Sequence, residues 1–293
     1  MPSYAQEVKN ELAHIFDDDS DCLRAEFVAL LKVGAKKIDG RIEFVNQNAA
    51  VARRVITLAK KFFPNVKPEV AAIRRKTLQK NLFYVVRFIT AGTVQNFFDT
   101  INYDELLKHT RYKVAYLRGT FLAYGRVNRP ETQYYLQIMT FTAAEAYFIR
   151  KLMEKLEFNA GFIQRKKKFF VWLREGDAIC DFLGMLGANN AVERFEIARN
   201  VKEVRMQVNR VVNMETAALN KSITAAKRQL ADIKILLDKK APVNKRFQEA
   251  MKLRLENPYC TIAELAEKIP MSRAGLQYRF KIIHKLARKF SKK

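Results

Sequence analysis

Apolar positions recur along the first two thirds of the chain in two alternating rhythms, one helical and one strand-like. Val8, Leu12 and Ile15 share a helical face and predict a helix from Ser3 to about Phe16, opened by capping-box spacing at Ser3 and Gln6. The acidic run 17–21 suits the N-terminus of a second helix and lacks the pattern of a calcium loop. Lys36–Ile38 and Arg41–Val45 alternate about Asp39-Gly40, a strong hairpin signal. Val51, Val55, Leu58 and Phe62 mark one face of a helix from Asn48 to Phe63, ended by Pro64. Val66–Arg75 and Leu82–Ile89 read as strands about a turn at 76–81, and Val94–Leu107 as a small helical stretch. The order then starts again. A helix at 111–124 precedes strands at Arg126–Asn128 and Tyr134–Phe141. A helix at Ala144–Leu156 precedes strands at Gly161–Arg165 and Phe169–Leu173, turning at Lys166–Lys168, and Glu175–Leu186 closes the copy. An α-β-β-α-β-β-α order written twice means an α+β fold with a tandem repeat.

The repeat is clearest in its first helices. Ala115, Gly119 and Ala123 follow one another at i, i+4 and carry almost no side chain, so a second helix can approach that face closely. Ninety residues earlier, Ala25 falls under Ala115, Ala29 under Gly119, Phe27 under Leu117 and Leu31 under Phe121. The helices containing Ala29 and Gly119 are expected to cross closely at the centre of one pseudo-symmetric unit.

Strand signals stop after Asn189-Asn190. Ala191–Asn200 and Val204–Lys240 read as helical, a linker between two domains. Pro242 opens a last unit. Arg246–Glu256 forms a helix, Thr261 and Glu264 box the start of another over 262–269, Pro270-Met271 turns, and Ser272 caps a third helix running toward Phe290. Three helices with a short turn before the third make a helix-turn-helix arrangement. The third helix places Leu276, Phe280 and Ile283 inward and Gln277, Tyr278, Lys281 and Lys285 outward.

Charge adds a partner to this outline. The net charge is +24, and residues 201–293 alone carry 22 Lys and Arg against 8 Asp and Glu. That balance calls for a polyanion, and a recognition helix favours duplex DNA over double-stranded RNA, whose deep major groove excludes one. Cys22, Cys180 and Cys260 are scattered, as are His14, His109 and His284, which argues against disulfides and zinc. With no membrane-spanning run and no signal peptide, a cytoplasmic, nucleoid-associated protein is expected.

Leu117-Arg118-Gly119-Thr120-Phe121-Leu122-Ala123-Tyr124-Gly125 is similar to the nine-residue LAGLIDADG helix of homing endonucleases. The chain as a whole, from Ser3 to about Lys289, resembles the WhiA family of bacterial DNA-binding regulators, which joins such a scaffold to a C-terminal helix-turn-helix. Two further stretches carry the resemblance. One is Asn209-Arg210-Val211-Val212-Asn213 with 215–221, where Ala218 stands in place of the family's asparagine. The other is Ser272-Arg273-Ala274-Gly275-Leu276-Gln277-Tyr278-Arg279, where Gln277 replaces Asn and Tyr278 replaces His. The resemblance implies tandem LAGLIDADG-like repeats with two antiparallel sheets over 1–188 (repeats at about 20–108 and 111–188), a helical linker over 189–240, and an all-α DNA-binding domain over 241–293. It implies a transcriptional regulator of cell division, with sporulation in some relatives. Promoter DNA would be its partner, with RNA polymerase or another transcription factor beside it.

An active LAGLIDADG-type endonuclease is the competing function. Such an enzyme needs a carboxylate at the C-terminal end of each repeat helix to hold divalent metal. The matching positions here are Gly34 and Tyr124, neither of which ligates Mg²⁺. No catalysis and no cofactor are therefore expected. The expected DNA contacts are Thr261, Ser272, Arg273, Gln277, Tyr278, Arg279, Lys281 and Lys285. Gln277 and Lys281 would meet bases, and Arg273, Arg279 and Lys285 phosphates. Arg205, Asn209, Arg210, Asn213, Asn220 and Lys221 are additional candidates. The basic stretches Arg74–Lys76 and Arg165–Lys168, one per copy, read as solvated turns, a retained phosphate track or part of a protein-binding platform.

Overall fold

The computed structural model describes residues 3–38, 41–74, 82–88, 97 and 101–291. Helix α1 (Tyr4–Ala13) is shorter than expected, and Phe16 lies almost fully exposed beyond it. Its capping box does not form: the Ser3 side chain caps nothing, and Gln6 Oε1 instead accepts from Asn48 Nδ2 at 2.6 Å. Tertiary pairing wins because Asn48 is buried and must be satisfied. Asp19 caps α2 (Ser20–Gly34), accepting from the Asp21 N–H at 2.8 Å, and that bond holds its carboxyl below the usual range. Strands β1 (Ala35–Ile38) and β2 (Arg41–Asn46) pair as expected; their Asp39-Gly40 turn lies outside the described residues. Asn48 caps α3 (Ala49–Phe62), and β3 (Glu69–Arg74) pairs with β4 (Leu82–Phe88). The 76–81 turn and most of 94–102 also lie outside; α4 (Tyr103–Leu106) is the described part of that stretch.

The second copy follows as α5 (Thr110–Tyr124), β5 (Gly125–Val127), β6 (Leu136–Thr140), α6 (Ala143–Glu154), β7 (Gly161–Arg165), β8 (Lys168–Leu173) and α7 (Gly176–Leu186). The turn before β8 is tighter than the three lysines implied. Lys168 already pairs with Arg165, and Lys166 turns the chain at φ +55°. Both copies build four-stranded antiparallel sheets of one order, β1-β2-β4-β3 and β5-β6-β8-β7. Alternation places Phe44, Val86 and Phe88 of the first sheet, and Leu136, Ile138, Val171 and Leu173 of the second, in the core.

Helices α2 and α5 meet along the small-residue stripe. A Cβ at Gly119 would stand 2.3 Å from the Glu26 carbonyl oxygen and 2.8 Å from the Ala29 Cβ. Farther along, a Cβ at Gly34 would stand 3.2 Å from that of Ala123. The contacts advance together along both helices, which therefore run parallel. Beside the seam, the fully buried Glu26 accepts from Arg54 at 2.7 and 3.1 Å and from Arg118 at 3.4 Å, and Arg118 also donates to the Leu186 carbonyl. Arg118, in the middle of the repeat motif, thus serves packing.

One helix, α8, runs unbroken over Asn189–Asp238, joining the two helical ranges across 201–203. Two compact units divide it, Met1–Lys202 and Glu203–Lys293. In the first, Glu11 accepts from the N–H groups of Asn190 and Ala191 at 2.8 and 3.0 Å, placing a carboxylate at the positive end of α8. Tyr4 donates to the Ala191 carbonyl at 2.7 Å. In the second, Ile233 and Leu236 join a separate core with α9 (Lys245–Glu256), α10 (Ile262–Glu267) and α11 (Arg273–Ser291). Arg254 is buried there among acceptors from three places: Gln229 at 2.9 Å, the Asn257 carbonyl at 3.3 Å and the Cys260 carbonyl at 2.5 Å.

Candidate nucleic-acid interface

The geometry of the second unit starts from its caps. Thr261 Oγ1 accepts from the Glu264 N–H at 3.2 Å while Glu264 accepts from the Thr261 N–H at 2.7 Å, a closed capping box that starts α10. The chain turns at 268–272. Ser272 Oγ accepts from the Gly275 N–H at 3.1 Å and starts α11. A Cβ at Gly275 would press on this cap, 3.3 Å from Ser272 Oγ and 3.2 Å from Met271 Cγ. Leu276, Phe280, Ile283 and Ala287 then bury one stripe of α11. A stripe flanking this one carries Arg273, Gln277, Lys281 and, farther on, Arg288, all exposed. Tyr278 and Lys285 are exposed on the side directly away from the core.

Arg279 stands apart from that set. Two positions past Gln277, it faces back onto α9, where it donates to the Arg246 carbonyl at 2.7 Å and to Glu249 at 3.2 Å. Its guanidinium ties α11 to α9.

The residues on α8 fall into one pattern. Every residue from 203 to 221 is exposed. Arg205, Asn209, Asn213 and Asn220 follow one helical face, with Arg210 and Lys221 along its edge. Val204, Val208, Val211 and Leu219 occupy the other side, also exposed. The polar face runs into a groove of about 620 Å³ in which Asn220 and Lys221 oppose Gln277 and Lys281 of α11, over a floor of Ile262 and Phe280. Two stretches 56 residues apart in sequence thus line one concavity. Arg205, Asn209, Arg210 and Asn213 lie outside it.

Three titratable residues of this groove were not among the sequence candidates. His284 Nδ1 pairs with Asp232 Oδ2 at 2.8 Å, and Arg228 meets the other ring nitrogen. Arg228 and Asp232 are one turn apart on α8, a visible spacing, but only the fold brings His284 to them.

In the first unit, Gly34 and Tyr124 close α2 and α5. The residues present do not fit a divalent cation. Gly34 has no side chain, and a Cβ there would stand 2.3 Å from the Phe44 ring. An amide and an amine occupy the surroundings instead: Asn46 Nδ2 donates to the carbonyls of Leu122 and Ala123 at 3.3 and 3.1 Å, and Lys9 Nζ reaches Ala123 O at 3.5 Å. Burial, with the Arg126 charge nearby, pushes the Lys9 ammonium down to about 7. Among the described residues no cluster of three His, Cys, Asp or Glu could hold a metal ion. Of the two basic turns, Arg165 lies over Phe170, while Arg75 and Lys76 fall outside the described residues. No helix among the described residues is long and apolar enough to cross a membrane.

Comparison with known proteins matches these parts in order. Models of a WhiA N-terminal LAGLIDADG-like domain, a WhiA LAGLIDADG-like domain and a WhiA C-terminal HTH domain match residues 20–102, 113–205 and 208–287. A protein of Desulforamulus reducens named "Probable cell division protein WhiA" is 36% identical, covering 98% of this chain and 96% of its own length. A protein of the same name from Staphylococcus epidermidis is 35% identical, covering 98% and 97%. The crystal structure of full-length WhiA from Thermatoga maritima has the same fold, with a TM-score of 0.61 at 20% identity over 99% of both chains. Tandem endonuclease-like repeats, a terminal helix-turn-helix and near-full-length identity above one third agree, and the chain belongs to the WhiA family.

Proposed function

We propose that this protein is a sequence-specific regulator of transcription linked to cell division. On this reading it recognises promoter DNA through α11 and uses its endonuclease-like unit as a scaffold that does not cut. The observation that carries the reading is the exposed stripe of α11. A glutamine and a lysine one turn apart stand exposed on a capped helix whose adjoining face is locked into a core, an arrangement that can present side chains to a major groove. Gln277 pairs with adenine and Lys281 with guanine, while Arg273, Lys285 and the N–H groups behind Ser272 meet phosphates. Tyr278 stands beside the bases, Thr261 holds α10 in place, and Arg279 positions α11 through α9. On α8, Asn220 and Lys221 face the groove, and Arg205, Asn209, Arg210 and Asn213 extend the contact surface beyond it. Residues 1–188 are the scaffold, 189–240 the link and 241–293 the reader.

The cell-division role rests on the names of the relatives. Regulation at promoters makes RNA polymerase or a second transcription factor the natural protein partner and the nucleoid the place of work. Absence of cutting rests on Gly34 and Tyr124 at the metal positions and on the amine and amide that crowd them. The test is a genome-wide map of bound sites for the full chain, followed by footprinting on the strongest. Discrete protected sites that vanish in a Q277A/K281A double variant are expected. Protection unchanged by that variant would move recognition to the sheets.

A further inference from the structure

We propose that Arg228 is a further contact to the DNA backbone, a phosphate ligand held at the mouth of the groove by the His284–Asp232 pair. The inference rests on the reading of α11 as the DNA-facing helix and adds to it a residue of α8. A guanidinium only donates hydrogen bonds. The ring nitrogen that faces Arg228, Nε2, must therefore offer its lone pair, so the proton sits on Nδ1 and is donated to Asp232 at 2.8 Å. Asp232 fixes the tautomer, the tautomer fixes the acceptor, and the acceptor holds the guanidinium.

The arrangement leaves most of the five guanidinium N–H groups for another acceptor, and Arg228 is exposed. Lys221 lies two turns before it on the same edge of α8, and Lys281 stands across the groove. Three cations thus rim one concavity. Asp232, the carboxylate among the lining residues, is 8% exposed and paired with the histidine, so it does not offset them at the surface. A polyanion running past Gln277 and Lys281 on α11 would meet Lys221 and Arg228 on its flank. Charge alone at this rim would accept any anion; a planar fork held at one angle suits a phosphate of a duplex already docked on α11.

The experiment is equilibrium binding of the full chain to a random-sequence duplex of about 30 base pairs across a series of salt concentrations, because a phosphate contact is read on every sequence. R228A is expected to weaken binding and to lower the slope of log K against log salt by about 0.9. D232A and D232N remove the same charge, but only D232N keeps an acceptor for Nδ1–H. D232N is expected to bind at least as tightly as the parent, and D232A to show the lowered slope of R228A. A purely structural role would change melting temperature without moving the slope. A parental slope in R228A overturns the contact, and equal slopes in D232A and D232N overturn the positioning. Should D232A fail to fold, R228A, an exposed position, still decides the contact. A parent chain that binds no duplex sinks the DNA reading itself and this inference with it; a parent that binds while R228A matches it sinks the inference alone.

Discussion

Lys9 shows how one residue can carry the pH response of a fold. Its amine is buried beside the C-terminal end of α5, and burial moves its proton affinity from 10.5 for a free lysine to about 7. The unfolded chain therefore holds more protons between about pH 7 and pH 10.5, and stability should rise with pH across that window. K9M removes the titrating group. It leaves the Ala123 carbonyl with its Asn46 donor, so no buried acceptor is orphaned. Denaturant midpoints at pH 7, 8 and 9 should climb in the parent and stay level in K9M; parallel curves would refute the assignment. At the other end of the chain, Q277A should lose discrimination at one base pair by about 1–3 kcal/mol while nonspecific binding survives. Competition with single-base-pair variants of a selected site measures it. An even loss across all variants would recast Gln277 as a backbone contact.

At the scale of elements, caps and close approaches decide. Helix α10 has six residues, too few to persist without its capping box and its packing on α11. T261A should lower the stability of the helix-turn-helix by about 0.5–2 kcal/mol, seen as an earlier melting transition. The α2–α5 seam depends on an absent side chain. G119A puts a methyl 2.3 Å from a backbone oxygen that cannot swing aside, so the helices must separate. The expected cost is about 1–3 kcal/mol, and an unchanged melting temperature would contradict the packing described. The seam and both hairpins per copy were legible in the sequence because they rest on periodicity and on turn chemistry. The Ser3–Gln6 cap does not form, and α8 is longer than either helical range read for it. In the first case a buried asparagine takes the glutamine oxygen, and in the second a stretch with no Gly or Pro lets the helix continue.

For the whole molecule, the question is whether an endonuclease-like scaffold still cuts. Bound DNA incubated with the full chain and Mg²⁺ or Mn²⁺ should remain intact, judged by strand scission on a denaturing gel. Metal-dependent scission that disappears when an alternative carboxylate such as Asp39 is replaced would overturn the scaffold reading. The basic balance of the last third bears on the same assay through affinity. Each phosphate released by a variant such as K285A should flatten the salt dependence by about one unit.

What the sequence by itself determined is everything carried by local rules. The twofold α-β-β-α-β-β-α order, the glycine–alanine stripe, the second capping box and the inward and outward faces of α11 all follow from residue type and spacing. Tertiary structure decided what distant residues do to one another. It turned Arg279 back onto α9, set Lys9 against the end of α5, and joined Asn220 and Lys221 to Gln277 and Lys281 in one groove. It also set His284 between Arg228 and Asp232. No periodicity encodes these pairings. Each joins side chains from different elements, and their meeting depends on how whole faces pack once the chain has folded.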